Sequence, residues 1–552
     1  MKTTTTIRIC CSLLLCGSAS AQNLIAAFHG ANDGERVGRV FASLGDVNGD
    51  NVPDMIVGDP SYNGPGLGSG RAFAVSGVDG SRLWTFDGDQ FGDHLGKTVA
   101  GAGDVNADGI PDALVGSPDD NLGTGSAYVL SGDDGSELLF MRGINPGDDF
   151  AICADGVGDV NGDGHDDVIV GAPGMPAGGE VEAGRVYVYS GATGLPLHAL
   201  TGFHDNGERF GSFVSAAGDP TNDGNADFLA GSSEVIGTGT GYFIGGFTRL
   251  YSGATGAVER HWEGWDNGHG FDEYWGMGGA ALGDIDGDGI DDYLVGVDTG
   301  FDTASVRSGA TGQEIRSFNA SLSSTSSPPY DVAGDVNGDG VNDVIIAQWS
   351  LPGIQVYSGT DGALLQSLAP PAGNIEFGVH FEAMGDIDGD GLDDVGIGAP
   401  LDDSQGANHG VIFVYSANPG GPDNGYCVGA SNSVGAGASI HNAGSSSVSA
   451  NDFVLRADDC PSGQAGVFYF GSGQQQTPFF NGFQCVAPPF TRLPTVFVGV
   501  GGSASQAVNL NVSPGNIFDV GESWSFQFWY RDPAGGGSFV NLSNGMEVNF
   551  RP

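Results

Sequence analysis

The sequence is short of positive charge. Only 18 Lys and Arg stand against 68 Asp and Glu in 552 residues, a formal net charge of −50. Such a surface repels phosphate backbones and anionic headgroups, so nucleic acid and charged membranes are poor partners. Cysteine is scarce too. Three of the seven fall within the first 16 residues, leaving Cys153, Cys427, Cys460 and Cys485. Cys153 reads as a small buried hydrophobe, and Cys427–Cys485 as the preferred disulfide. Beyond the N-terminus no apolar run is long enough to span a bilayer as a helix, so no integral membrane segment is expected. Catalytic signatures are missing as well: there is no HExxH, no GxSxG and no phosphate-cradling Gly-Lys loop.

The N-terminus reads as a secretory signal. Lys2 and Arg8 precede an apolar run from Ile9 to Cys16, and Ala19-Ser20-Ala21 offers small residues for cleavage after Ala21. Leu15 stands where a lipoprotein would carry a small residue before Cys16. Residues 1–21 are thus expected to be removed from a secreted or cell-surface protein, a setting that permits disulfides.

What the chain has in plenty is glycine, 99 residues, much of it in one repeated unit. In "GVGDVNGDGHDDVIVGAP", Asp159, Asn161, Asp163 and Asp167 occupy positions 1, 3, 5 and 9 of a tight loop. Alternate side chains converge there, and the backbone carbonyl of His165 can add a ligand. Hard oxygen donors in this number suit Ca²⁺ better than Mg²⁺. The β-branched run that follows makes the loop the turn of a β-hairpin.

Six further copies lie 51 to 65 residues apart. They place Asp46, Asn48, Asp50 and Asp54 in the first loop, and Asp104, Asn106, Asp108 and Asp112 in the second. The fourth has Asp219, Thr221, Asp223 and Asp227, and the fifth Asp284, Asp286, Asp288 and Asp292. Asp335, Asn337, Asp339 and Asp343 form the sixth, and Asp386, Asp388, Asp390 and Asp394 the seventh. Up to seven Ca²⁺ are expected, in a structural role, since one metal per repeat stiffens each hairpin. An EF-hand or dockerin would follow its loop with a helix. Thrombospondin-type loops would sit far closer together.

Each repeat is long enough for a four-stranded antiparallel sheet, one propeller blade. After each loop come a strand, Ser-Gly, a turn and another strand. Ten residues beyond the Ser stand Phe86, Met141, Leu200, Trp262, Phe318 and Leu368, one large apolar residue per repeat for packing between blades. After Ser416 the seventh copy runs into Pro and Gly instead. "LIAAFHG", Leu24 to Gly30, matches the missing strand and places Phe28 at the packing position, so the N-terminal strand is expected to complete the last blade.

Upstream of the loops stand Phe91-Gly92, Phe210-Gly211, Trp275-Gly276 and Phe377-Gly378, and downstream Gly-Ala-Pro at 171–173 and 398–400. With the Asp-rich loops between them, these motifs resemble the FG-GAP repeat of integrin α-subunits over roughly residues 24–416. The resemblance implies a seven-bladed β-propeller with Ca²⁺ loops on one face. The organisation expected is a propeller over residues 22–417, a Pro-Gly linker over 418–423 and a β-sandwich over 424–552. In that last module "SWSFQFWYRD" puts Trp524, Phe526, Phe528 and Tyr530 on one face. Its ends also resemble C-terminal modules of exported proteins from planctomycete-type bacteria.

A stretch between the fourth and fifth loops carries aromatics beyond the repeat. Trp265, His269, Phe271 and Tyr274, beside Asp and Asn, could stack on sugar rings; a packed insertion is the plainer alternative. The function expected is a secreted, calcium-stabilised binding or adhesion protein, monomeric, engaging an extracellular protein or glycan through propeller loops. The alternative is an extracellular polysaccharide lyase or hydrolase, for which so few Lys and Arg make a basic cleft hard to assemble.

Overall fold

The computed structural model describes residues 24–32, 34–176, 182–202, 208–232, 236–237, 243–265, 278–298, 302–319, 330–347, 353–369, 376–389, 391–404, 408–416, 433, 438–443, 451, 453–458, 460–479, 482–499, 502–512, 515–518, 523–533 and 540–550. The chain packs as two units, 1–387 with 393–415, and 388–392 with 416–552. The expected signal, the linker, Cys427, Asp390, His269, Phe271 and Tyr274 lie outside the described residues.

In the first unit one four-stranded antiparallel sheet recurs. In its third copy Ala154–Gly158 pairs with Asp167–Ala172, then Arg185–Tyr189, then Pro196–Thr201. Sheets of the same order begin at Phe41, Thr98, Gly279, Tyr330 and Phe381, and the one at Phe213 keeps that order with a short fifth strand, Ile236–Gly237, added against its third. Burial explains the composition of each strand. Every residue of the second strand "DVIVGA" is buried, so it reads as a continuous apolar run, whereas the fourth, "PLHALT", is largely exposed and mixed. First strands are rich in Gly and Ala because they approach one another most closely. Each packs on the first strand of the next sheet, and Phe381–Gly385 packs back on Phe41–Gly45.

The seventh sheet takes its fourth strand from the other end of the chain. Leu24–His29 runs antiparallel to Val411–Tyr415, with Phe28 opposite Ile412. That pairing covers what would be an open sheet edge. Neighbouring sheets meet through the large apolar residues of the fourth strands: Phe86 lies 5.3 Å from Tyr128, Trp262 5.9 Å from Tyr293 and Phe318 5.2 Å from Tyr357, ring centre to ring centre. Two residues earlier on the same strands is a second link that the sequence did not announce. Trp84 Nε1–H donates to the Gly132 carbonyl of the next sheet at 2.8 Å, and Arg260 Nε–H to that of Gly309 at 3.0 Å.

One motif register is corrected. Phe210 is buried and bridges Gly184, and the residue that does this in the second sheet is Leu95, bridging Gly70. Phe91 is not its equivalent; it stands 76 % exposed. An acid sets the register: Asp93-His94-Leu95-Gly96 matches Glu208-Arg209-Phe210-Gly211, and both acids are buried. Asp93 turns back to accept the Gln90 N–H at 2.9 Å, which closes the turn and leaves Phe91 on its outside.

In the second unit Phe490–Phe497, Ala465–Gly471, Ser523–Arg531 and Val540–Asn549 form one sheet, and Ser439–Ala443, Val454–Asp458 and Ala504–Ala507 another. Residues of both fill a single core, among them Ile440, Leu455, Phe468, Phe526, Phe528 and Tyr530, with Trp524 packed against it. Cys485 is disulfide-bonded, and Cys153 and Cys460 keep their thiols. Cys153 does more than fill space: its Sγ–H donates to the Gly211 carbonyl of the next sheet at 3.0 Å.

Candidate metal centres

Each Asp-rich loop joins the first two strands of a sheet. Its first aspartate organises the turn from inside. Asp159 Oδ1 accepts the N–H groups of Gly162 and Asp163 at 2.7 and 3.1 Å, and Oδ2 that of Gly164 at 2.8 Å. Asp335 does the same with Gly338, Asp339 and Gly340. Burial pulls the other way, but the amides of Gly164, Asp163, Gly162 and Asn161 hold the Asp159 carboxyl below the usual range.

Position 9 anchors the loop to the sheet. Asp54, Asp112, Asp167, Asp227, Asp292, Asp343 and Asp394 are all fully buried. Asp112 Oδ2 accepts the Val105 and Asn106 N–H groups at 3.0 and 3.3 Å, and Oδ1 that of Gly132, in the Ser-Gly turn, at 3.1 Å. One carboxylate therefore ties the loop to the turn between the third and fourth strands. Burial pushes Asp112 and Asp167 up to about 6 and Asp343 up to about 7, helped by the loops' other carboxylates and opposed by the amides. A divalent cation would invert that balance by favouring the charged forms.

The residues fit such a cation. Carboxylate oxygens of Asp284, Asp286 and Asp292 lie within 4.8 Å of one another, as do those of Asp386, Asp388 and Asp394. These are positions 1, 3 and 9. In the second loop Asn106 Oδ1, at position 3, is buried without a hydrogen-bond partner, a lone oxygen that a metal would satisfy. Position 5 behaves differently from the expected four-way convergence. Asp288 stands outside its group and accepts the Ile290 N–H at 3.0 Å, and Asp163 likewise that of His165 at 3.1 Å. In the fourth loop Thr221 replaces a strong donor, yet Thr221 N–H still donates to Asp227.

The opposite end of the sheets is built otherwise. Antiparallel order places the connections between second and third strands there, together with those from one sheet to the next. Several carry exposed apolar side chains: Leu67, Phe91, Leu122 and Ile144 are 66, 76, 92 and 68 % exposed. They lie on joined segments, since Gly92 N–H donates to the Leu67 carbonyl at 3.1 Å and Gly147 N–H to that of Gly123 at 2.8 Å. Trp265 ends the strand Val258–Trp265, the last of the fourth sheet. Buried acids cap these turns, Asp148 accepting the Ile144 and Asn145 N–H groups at 3.1 and 2.7 Å. An acid two residues before the buried apolar residue was the sequence signal for them. Among the described residues no helix is long and apolar enough to cross a membrane.

Residues 154–189, the first three strands of the third sheet, match the FG-GAP repeat. The chain is similar to integrin alpha-5 of Xenopus laevis, 28 % identical over 211 residues, 35 % of this chain and 19 % of that protein. It is also similar to the phosphatidylinositol-glycan-specific phospholipase D of Bos taurus, 30 % identical over 180 residues, 29 % of this chain and 21 % of that one. The chain thus spans about a fifth of these relatives. The solved Dos1 propeller overlays 67 % of this chain and 75 % of its own with a TM-score of 0.40 at 12 % identity. The repeat match, the integrin likeness and the recurring sheets together support an FG-GAP β-propeller.

Proposed function

We propose that the protein is a secreted, calcium-stabilised binding protein. Its signal (1–21) precedes a seven-bladed propeller (22–417), a linker (418–423) and a C-terminal β-sandwich (424–552). Up to seven Ca²⁺ occupy the Asp-rich loops and stiffen the blades. An extracellular protein or glycan is engaged at the opposite end. The observation that carries this reading is that Leu67, Phe91, Leu122 and Ile144, all exposed, gather on two hydrogen-bonded pairs of connections at that end. In the sequence the excess aromatics Trp265, His269, Phe271 and Tyr274 fall between the last strand of the fourth sheet and the first of the fifth.

The test is a glycan array and an extracellular-protein binding screen on purified protein, repeated with Phe91→Ser/Leu122→Ser and with Trp265→Ala/Tyr274→Ala. Stacking and apolar contacts contribute on the order of 1 kcal/mol each, so one of the pairs weakens binding at least about tenfold while the calcium-dependent melt is unchanged. Ligand binding that both double variants retain would overturn the placement. Depolymerisation of a polysaccharide by the wild type would instead favour the enzyme alternative. The likeness to a phospholipase D is confined to a fifth of that protein and carries no activity across.

A further inference from the structure

The pairs Asp166-Asp167 and Asp393-Asp394 each hold one loop ligand, at position 9, and one aspartate that its own loop leaves unused. Position 8 reaches backwards to the preceding loop. Asp166 Oδ2 accepts the Asp104 N–H at 2.8 Å, and Asp166 N–H donates to the Asp104 carbonyl at 3.2 Å. In the same way Asp393 Oδ2 accepts the Asp335 N–H at 2.9 Å, with the backbone return at 3.2 Å. Asp104 and Asp335 are the position-1 residues of the second and sixth loops. The approach is so close that a Cβ on Gly103 would lie 2.1 Å from Asp166 Oδ2, and one on Gly334 2.4 Å from Asp393 Oδ2. That is one reason glycine precedes these first aspartates.

The link is not general. Pro53, Pro111, Ala226 and Asn342 hold position 8 in the first, second, fourth and sixth loops. With Ala226 only the backbone half survives, its N–H donating to the Asp159 carbonyl at 2.9 Å. Asp291 of the fifth loop comes near the fourth, 2.6 Å from where a Gly218 Cβ would be. The first loop has no position-8 carboxylate on either side. Between the second and third loops there is an additional tie, His165 Nδ1–H donating to the Val105 carbonyl at 2.8 Å.

We propose that the metal loops bind in linked pairs, second with third and sixth with seventh, through Asp166 and Asp393 as positioning residues. The inference rests on the loops being calcium sites. A cation in the third loop fixes Asp167. Residue 166 is thereby held, and its carboxylate holds the backbone from which Asp104 presents its ligand oxygens to the second loop. By linkage the effect is reciprocal.

Calorimetric titration of the full chain with CaCl₂ tests it. Asn161→Ala removes the position-3 oxygen from the third loop without touching the second; Asn48→Ala does the same in the unlinked first loop. Coupling of ordinary size is about tenfold, so Asn161→Ala should shift two ions out of the tight class and Asn48→Ala one. In an Asp166→Ala background Asn161→Ala should affect one ion only. Asp166→Asn, which keeps an acceptor, should retain the two-ion loss. Loss of a single ion from Asn161→Ala in the otherwise native chain overturns the pairing. Absence of any calcium binding by the wild type would remove the metal reading itself, a result visible before any variant is made.

Discussion

The two ends of the sheets differ in how they use polar groups. At the loop end two aspartates of each loop have repeated duties: position 1 folds the turn and position 9 fastens it to the sheet, backbone amides turning to both. At the other end the buried acids cap turns of varied length, and exposed apolar side chains gather on hydrogen-bonded segments, Phe91 beside Leu67 and Ile144 beside Leu122. Repetition marks the part that holds the fold, and irregularity marks the part free to differ from sheet to sheet. The proposed binding surface lies on the second.

The comparison is most sharply broken by changing what both ends depend on. Deleting Leu24–His29 removes the fourth strand of the last sheet and opens an edge along Val411–Tyr415. Aggregation or loss of a cooperative melt is expected by light scattering and calorimetry; a monomer melting like the wild type would show that the strand is dispensable. Within one loop the effect should be smaller and graded by position. Asp112→Ala strands three N–H groups, two of them buried, and should cost about 3 kcal/mol in urea unfolding without metal. Asp108→Ala, exposed and holding only the Ile110 N–H, should cost about 0.5 kcal/mol. Equal costs would mean that position 9 is no anchor.

The smallest effect is on pH dependence, and its sign is informative. Asp112 and Asp167 are pushed up to about 6 and Asp343 to about 7 from an ordinary 3.8. Between those limits the folded, metal-free chain binds more protons than the unfolded one, so stability is present at the acid side and is lost as pH rises through 6 to 7. In EGTA the protein should melt higher at pH 5.5 than at pH 7.5. With calcium present the order should reverse, because protons compete for the ligand oxygens. A metal-free melt that rises with pH over this range would contradict the burial of position 9.

Much of the loop end was legible because its chemistry is local. Spacing alone located Asp159 and Asp167, and the absence of a strand after Ser416 pointed to Leu24. What spacing could not supply was contact between repeats. The reach of Asp166 to Asp104, and of Trp84 to Gly132, crosses from one sheet to the next and depends on stagger, not sequence distance. Phe91-Gly92 misled for a related reason: two residues of the right type stood four positions from where the buried one is needed. The aromatic stretch around His269 has no repeat to be read against.

The central claim is that cations in the Asp-rich loops are part of the fold. It is tested most directly by thermal melts of the full chain in excess calcium and in excess EGTA, with bound metal counted in both. A site filled at a hundred times its Kd adds about 2.7 kcal/mol of stability, and several such sites should raise the melt by about 10 °C or more. Identical melting temperatures, with metal confirmed present in one sample and absent from the other, would contradict the account.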